Sequence, residues 1–354
     1  MLNLQYSLPQ GREFLFCGIS GVPVVVKSWG DRIVVPASVL GYSASGSVFL
    51  KGDNGILSVV KDSVNAIDSR QVLSNTLSLL DRHSLALLIA PSVECWASWD
   101  IVDQVTKGLE SSLSHAYHMD DKVVFTFLQK EVVEVLDDTT RLINNLLTNT
   151  VSSASIMPIM GGGSCGFCVN FRLYGDEKYC KQFVAGVLLH APECTVFTNS
   201  SHPSFIRLNT ATCPHYVCYG KYGALLKVDF LSDGVEFSCM HPDCTGNIYL
   251  SVASIVLSGI LGIEKALPLP DEVVEVNPTS VSKLTRLPMN LTDALNLSES
   301  SGFLKRLLGE SYANLYFSAK IGETKAFDKI VGESEYATYY HKFIKRVDGG
   351  ATKV

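Results

Sequence analysis

The chain has 354 residues, of which 47% are hydrophobic and 18% charged, enough apolar material for a sizeable core in one large domain or two and too much for a disordered chain. Lys and Arg number 29 against 35 Asp and Glu, and the formal net charge of −6 denies the surface the positive field that a phosphate backbone requires, so nucleic acid is not an expected partner. The N-terminal run Met1-Leu2-Asn3-Leu4-Gln5-Tyr6-Ser7-Leu8-Pro9 has neither the basic start nor the apolar stretch of a secretory signal, so the expectation is a cytoplasmic protein in which most of the ten cysteines are reduced thiols in a core.

From Phe14 to about Val60, short β-type runs at 24–26, 32–35 and 47–50 alternate with Gly, Ser and Asp turns, which predicts a small sheet. At Asp68 the pattern becomes helical: Asp68 is a candidate N-cap, and Val72, Leu73, Leu77 and Leu80 fall on one side of a helix reaching Arg82. The boundary is therefore placed near residue 66, with a small domain over 1–66 and a larger one over 67–354. Strands are expected at 85–89 and 123–127, then a strongly amphipathic helix carrying Val132, Val135, Leu136, Thr139, Leu142, Ile143, Leu146 and Leu147 at helical spacing. Gly161-Gly162-Gly163 reads as a tight turn, because Ser164 is not followed by the Lys-Ser/Thr of a phosphate loop. A strand over 168–173 and a helix from about 177 to 190 come next, followed by strands over 204–208, 225–230 and 235–240 and by helices after Tyr249. The uncharged stretch 245–263 has the length of a membrane span. Ser251, Ser254, Ser258, Gly259 and Gly262 interrupt it and no basic cluster flanks it, so a buried core helix is expected and no membrane partner. Leu267-Pro268-Leu269-Pro270 opens a loop that ends near Pro288.

Several of these segments, in order, resemble the glutamine synthetase family. Pro203-Ser204-Phe205-Ile206-Arg207-Leu208 is similar to the family's Asn-Ser-Tyr-Lys-Arg-Leu. Val235-Glu236-Phe237, His241-Pro242, Asn247-Ile248-Tyr249-Leu250 and Gly259-Ile260-Leu261-Gly262-Ile263 resemble its active-site strand and the helix behind it. Ala90-Pro91-Ser92-Val93-Glu94-Cys95 resembles its Gly-Pro-Glu-x-Glu-Phe strand, and Leu308-Gly309-Glu310, Lys320, Glu323, Phe327, Glu335 and Tyr339 continue the match. The resemblance covers about 66–345 and implies an α+β fold: a small β-grasp-like N-terminal domain, then a curved antiparallel sheet backed by helices.

The family's reaction, phosphorylation of glutamate by ATP and displacement by ammonia, implies two or three divalent cations held by carboxylates, and arginines facing the phosphoryl group. Few of these residues stand here. Ser92 replaces the first acid of the Glu-x-Glu strand, and Tyr117 and Val124 fall at the two glutamates of the metal and ammonia loop. Gly166-Phe167-Cys168 stands where the family has Gly-Met-His. Lys221-Tyr222-Gly223 resembles the Asn-Arg-Ser phosphate motif without its arginine, and Ser238 replaces a second arginine. What remains is Glu94 and Glu236 as residual metal ligands and Arg207 as the residue that grips the substrate carboxylate. A plainer role is open for all three, with Arg207 paired to an acid inside the fold and the glutamates satisfied by polar neighbours. A soft-metal alternative is Cys165, Cys168, Cys213 and Cys218, to be weighed against free core thiols.

The resemblance with these losses implies a glutamine-synthetase-like pseudoenzyme with no catalytic residue assigned: an oligomeric scaffold, a regulator or an amino-acid-binding protein. The partners implied are further copies of the chain, an active glutamine synthetase, or an amino-acid ligand. The alternative is a divergent ATP-dependent ligase joining glutamate to ammonia or an amine, and only that reading requires ATP with Mg or Mn.

Overall fold

The computed structural model describes the strands within residues 2–59, and residues 69–327 apart from 120, 150–153, 161–162 and 211–212. The boundary near residue 66, Asp68, Glu335 and Tyr339 lie outside the described residues. In the N-terminal segment β1 (Leu2–Leu4), β4 (Val35–Tyr42), β5 (Val48–Gly52) and β6 (Gly55–Val59) form one sheet in the order β1-β4-β5-β6, and β2 (Glu13–Cys17) pairs with β3 (Pro23–Lys27). The run at 32–35 contributes only Val35, where β4 starts.

The larger unit begins with α1 (Ser69–Leu77), then β7 (Ala86–Ala97), α2 (Val102–Thr106), β8 (Leu113–Met119), β9 (Lys122–Phe127), β10 (Lys130–Glu131) and α3 (Val132–Asn149). Three two-residue strands follow, β11 (Ala154–Ser155), β12 (Ile159–Met160) and β13 (Gly163–Ser164), then β14 (Phe167–Tyr174), α4 (Glu177–Thr198) and α5 (His202–Leu208). β15 (Tyr216–Tyr219), β16 (Ala224–Leu231) and β17 (Gly234–Cys239) complete the strands. The helices α6 (Ile248–Glu264), α7 (Pro278–Val281), α8 (Leu291–Ser300), α9 (Phe303–Leu308) and α10 (Glu310–Phe327) close the described chain.

Seven strands run in the order β15-β16-β17-β14-β7-β9-β8, with β10 and β11 also pairing with β7, to make a nine-stranded sheet. β15 and β16 pair in parallel, so the sheet is mixed and not the purely antiparallel one expected. Period-two alternation sets its faces. Leu87, Ile89, Val93 and Cys95 of β7, with Val169, Phe171 and Leu173 of β14, turn into the core. Phe171 stacks on Phe237 of β17 at 4.7 Å, and Phe183 of α4 lies 6.0 Å from Phe237.

Behind that face α4 crosses α6. Asn247 caps α6 by accepting from the amides of Tyr249 and Leu250, and every residue from Ile248 to Ile263 is buried, as the uncharged sequence demands. Glycine sets the crossing distance. A Cβ on Gly262 would lie 2.2 Å from the Gln182 carbonyl oxygen, and one on Gly186 would lie 2.7 Å from the Gly262 Cα. Tyr249 of α6 donates its hydroxyl to Asp137 of α3 at 2.7 Å, and Arg70 of α1 pairs with the same carboxylate at 2.9 Å, so three helices share one polar knot. Among the described residues no helix is long and apolar enough to cross a membrane.

Three expected elements are corrected. The helix expected to reach Arg82 ends at Leu77, and Leu80–His83 form a separate 3-10 turn. Residues 204–208 are helical, not a strand, because Ser201 and Ser204 form a reciprocal capping box with Pro203 in the first turn, and these signals outweigh the β-type residues Phe205 and Ile206. The helix expected to stop near His190 continues through Pro192 to Thr198. A proline removes one hydrogen bond, whereas Ala191, Cys194, Val196 and Phe197 keep the last turns buried, and Tyr316 of α10 donates to the Val196 carbonyl at 2.9 Å.

Candidate functional site

The face of the sheet away from α4 and α6 is polar. Ser92 and Glu94 of β7, Lys122 and Thr126 of β9, Cys168, Asn170 and Arg172 of β14, Glu236 and Ser238 of β17, and Lys227 and Asp229 of β16 all alternate onto it. The register sets which of them meet. Glu236 stands opposite Arg172, which stands opposite Leu88 on the far side of β14. Glu94 is six positions along β7 from Leu88, a separation of about 20 Å along the strand at roughly 3.3 Å per residue. The two glutamates therefore do not face one common cation.

Each has other partners. Oε2 of Glu94 accepts from the Gly166 amide at 3.1 Å and lies 3.4 Å from Nζ of Lys122. Glu236 is 53% exposed, with Oε1 at 3.8 Å from Nε of Arg172, whose Nη2 is bound by Asp233. Ser238, at the position of the family's second arginine, donates its hydroxyl to Asn170. A divalent cation needs six or more oxygens close around it. Among the described residues no three of His, Cys, Asp and Glu are placed to hold a metal, so the donor set does not fit the cations that the family resemblance implies.

Arg207 lies on α5, which turns its guanidinium into the fold. Nη1 donates to the carbonyls of His241 at 2.8 Å and Pro242 at 3.2 Å, and Nη2 to that of Met240 at 3.0 Å. A Cβ on Gly166 would stand 2.4 Å from Nη2, so the backbone of 166 must carry no side chain for the guanidinium to fit. The arginine is 6% exposed and its hydrogen-bond partners are backbone carbonyls, where the resemblance implied a substrate carboxylate and the plainer reading an acid of the fold. His241 beside it is buried and neither ring nitrogen has a hydrogen-bond partner. Burial first, and the Arg207 charge second, lower its pKa from 6.5 to about 3, so the ring stays neutral.

The four cysteines of the soft-metal alternative are free thiols. Cys165, Cys213 and Cys218 are buried and Cys168 is partly so; burial raises all four pKa values, that of Cys168 to about 11. Among the described residues these thiols belong to no group of three His, Cys, Asp or Glu side chains placed to hold a metal.

Two features were not read from sequence. One is the Lys122–Glu94 pair. Glu94 faces Val124 across the ladder, and Lys122 sits two residues from Val124 on the same face, a diagonal contact that β alternation with the correct register would have exposed. The other is a cleft of about 690 Å³ between residues 213–224, Lys227, Met240 and the loop at 276–281. Among the described residues that line it, Lys221 and Lys227 carry the charge.

A mixed sheet backed by helices on one face and polar on the other defines an α+β protein. The chain belongs to the glutamine synthetase family: the profile of the glutamine synthetase catalytic domain matches residues 159–339, a little over half of the sequence. The γ-glutamylpolyamine synthetase GlnA3 of Streptomyces coelicolor is 26% identical over 183 residues, 48% of this chain and 39% of that protein. A glutamine synthetase of Halobacterium salinarum is 30% identical over 187 residues (50% and 41%), and one of Clostridium saccharobutylicum 28% over 219 residues (54% and 49%). The matches thus span less than half the length of these curated relatives. A solved structure described as apo GmaS without ligand shares the fold, with a TM-score of 0.70 at 16% identity over 92% of this chain and 95% of that one.

Proposed function

We propose that this chain keeps the glutamine synthetase fold as a non-catalytic module over 67–354, serving as an oligomeric scaffold, a regulator or an amino-acid-binding protein. The observation that carries the reading is the engagement of Arg207. The guanidinium that the family resemblance assigns to a substrate carboxylate donates to three backbone carbonyls of the 240–242 segment. The dispersal of Glu94 and Glu236 along the sheet supports the same reading. Phosphoryl transfer without converging cations or phosphate-facing arginines forfeits several kcal/mol of transition-state stabilisation per missing group. Purified protein supplied with glutamate, ammonia and MgATP is expected to release neither glutamine nor ADP. Turnover that disappears in Glu236→Ala would overturn the proposal in favour of a ligase.

Oligomerisation, general in this family, supports the scaffold branch. Light scattering is expected to show an assembly larger than a monomer, alone or with an active relative. A strict monomer in both cases removes that branch. The second reading, a divergent amine ligase, draws on the relative named as a γ-glutamylpolyamine synthetase and on the exposed acids Asp229 and Glu236, which face each other across β16 and β17. The turnover assay is therefore run with polyamines as well as ammonia.

A further inference from the structure

The carboxylate of Glu94 has a cation supplied by the chain itself. Lys122 projects from β9 onto the same face of the sheet, with its side chain 13% exposed beside the 29% exposed Glu94. Its Nζ donates to the Ser164 carbonyl at 2.8 Å, lies 3.4 Å from Oε2 of Glu94, and stands 6.0 Å from the centroid of the Trp96 ring. An ammonium withdrawn this far from water is destabilised unless a counter-charge and hydrogen-bond acceptors replace its hydration. All of these come from one small cluster.

The same oxygen of Glu94 also accepts the Gly166 amide. A divalent cation on Oε2 would displace that amide, face the Lys122 charge a few ångström away, and find no second carboxylate among the described residues of the adjacent pairs on β7 and β9. Val124 is the residue directly opposite Glu94 on β9, and Ser92 is the next residue of β7 on this face.

The ammonium also does mechanical work on the backbone. Trp96 donates Nε1 to the Met157 carbonyl at 2.8 Å, Cys165 donates its amide to Pro158 at 3.0 Å, and Lys122 takes Ser164. With the Gly166 amide on Glu94, Met157 on one side and Ser164 and Gly166 on the other are fastened to β7 and β9. Gly166 is the residue packed against Arg207, so the fastening reaches the 240–242 carbonyls.

We propose that Lys122 is a tethered replacement for the divalent cation at Glu94, holding Ser164 and, through Glu94, Gly166 in place so that this end of the sheet keeps its shape and charge balance without metal. This assignment rests on the non-catalytic reading of the sheet face, and its metal titration is read separately from the turnover assay.

The test combines metal titration with a double-mutant cycle. Free Mn²⁺ is followed by electron paramagnetic resonance, and thermal melting is followed with and without EDTA, on wild type, Glu94→Gln, Lys122→Gln, Lys122→Arg and the Glu94→Gln/Lys122→Gln double variant. Wild type is expected to take up no Mn²⁺ at micromolar concentration and to melt at the same temperature in EDTA. Lys122→Gln is expected to melt several degrees lower, Lys122→Arg to stay close to wild type, and the double variant to lose less than the two single losses together. Micromolar Mn²⁺ uptake by wild type that vanishes in Glu94→Gln would overturn the proposal, and so would strictly additive melting shifts. If Lys122→Gln does not fold, wild type against Glu94→Gln in the Mn²⁺ titration decides.

Discussion

The two faces of the nine-stranded sheet obey opposite rules. On the helical side, contact is made by removing atoms: Gly186 and Gly262 bring two backbones together, and the serines of α6 return their hydroxyls to helix carbonyls, Ser254 to Ser251 and Ser258 to Ser254. On the open side, contact is made by cancelling charge and hydrogen-bonding capacity: Lys122 with Glu94, Arg172 with Asp233 and Glu236, Ser238 with Asn170, Arg207 with three carbonyls. A face that works on a ligand keeps some of that capacity in reserve. Here the cancellation is partial: Glu94 and Ser238 have partners within the chain, whereas Nε of Arg207 and both ring nitrogens of His241 have none and Glu236 stays exposed.

The sharpest way to break this contrast is to remove an open-side clamp. Arg207→Met leaves three carbonyls without their donor, at about 1–3 kcal/mol for each one that stays buried. Urea denaturation is expected to show a loss of about 4 kcal/mol, larger than any binding defect; a stable variant with only a ligand-affinity change would return Arg207 to a substrate role. On the helical side, Gly262→Ala places a Cβ 2.2 Å from the Gln182 carbonyl oxygen, where backbone must move, and about 3 kcal/mol is expected in the same assay.

Next in size is a pH effect. His241 stays neutral in the fold down to about pH 3, while the unfolded chain gains its proton near 6.5. Stability conferred by this residue is thus complete above pH 6.5 and is lost as pH falls towards 3. Between pH 6.5 and 5 the loss is expected to reach about 2 kcal/mol, and His241→Leu is expected to flatten that part of the profile. The smallest effect belongs to Glu236→Gln. Its exposed pair with Arg172 at 3.8 Å is worth under about 0.5 kcal/mol, so a loss several times larger would mean that the open side is more tightly coupled than its geometry indicates.

Legibility in the sequence divides along the same line. The helical side was readable because period and composition are local: the uncharged 245–263 stretch with its interrupting Ser and Gly gave the buried α6, and the spacing from Val132 to Leu147 gave α3. Errors fell where local signals competed. Capping overruled β propensity at 204–208, and tertiary burial carried α4 past Pro192. The open side was legible only as residue identities. That Ser92, Cys168 and Ser238 replace family residues is visible in one dimension. That Lys122 reaches Glu94 diagonally, or that Arg207 turns inward onto 240–242, depends on register and on the path of a loop, which residue spacing does not encode.

The knot between Arg70, Asp137 and Tyr249 has a consequence in time. α1 is the first helix of the described larger unit, and a helix of nine residues in such a position ordinarily frays and re-forms independently. Here its release exposes a carboxylate that also holds the buried hydroxyl of α6, so opening at the entrance of the unit propagates to its centre. The amides of Leu73 and Thr76 are therefore expected to exchange with solvent deuterium on the schedule of Val252 and Ile255, and a protease acting near residue 70 waits on the opening of the core helix.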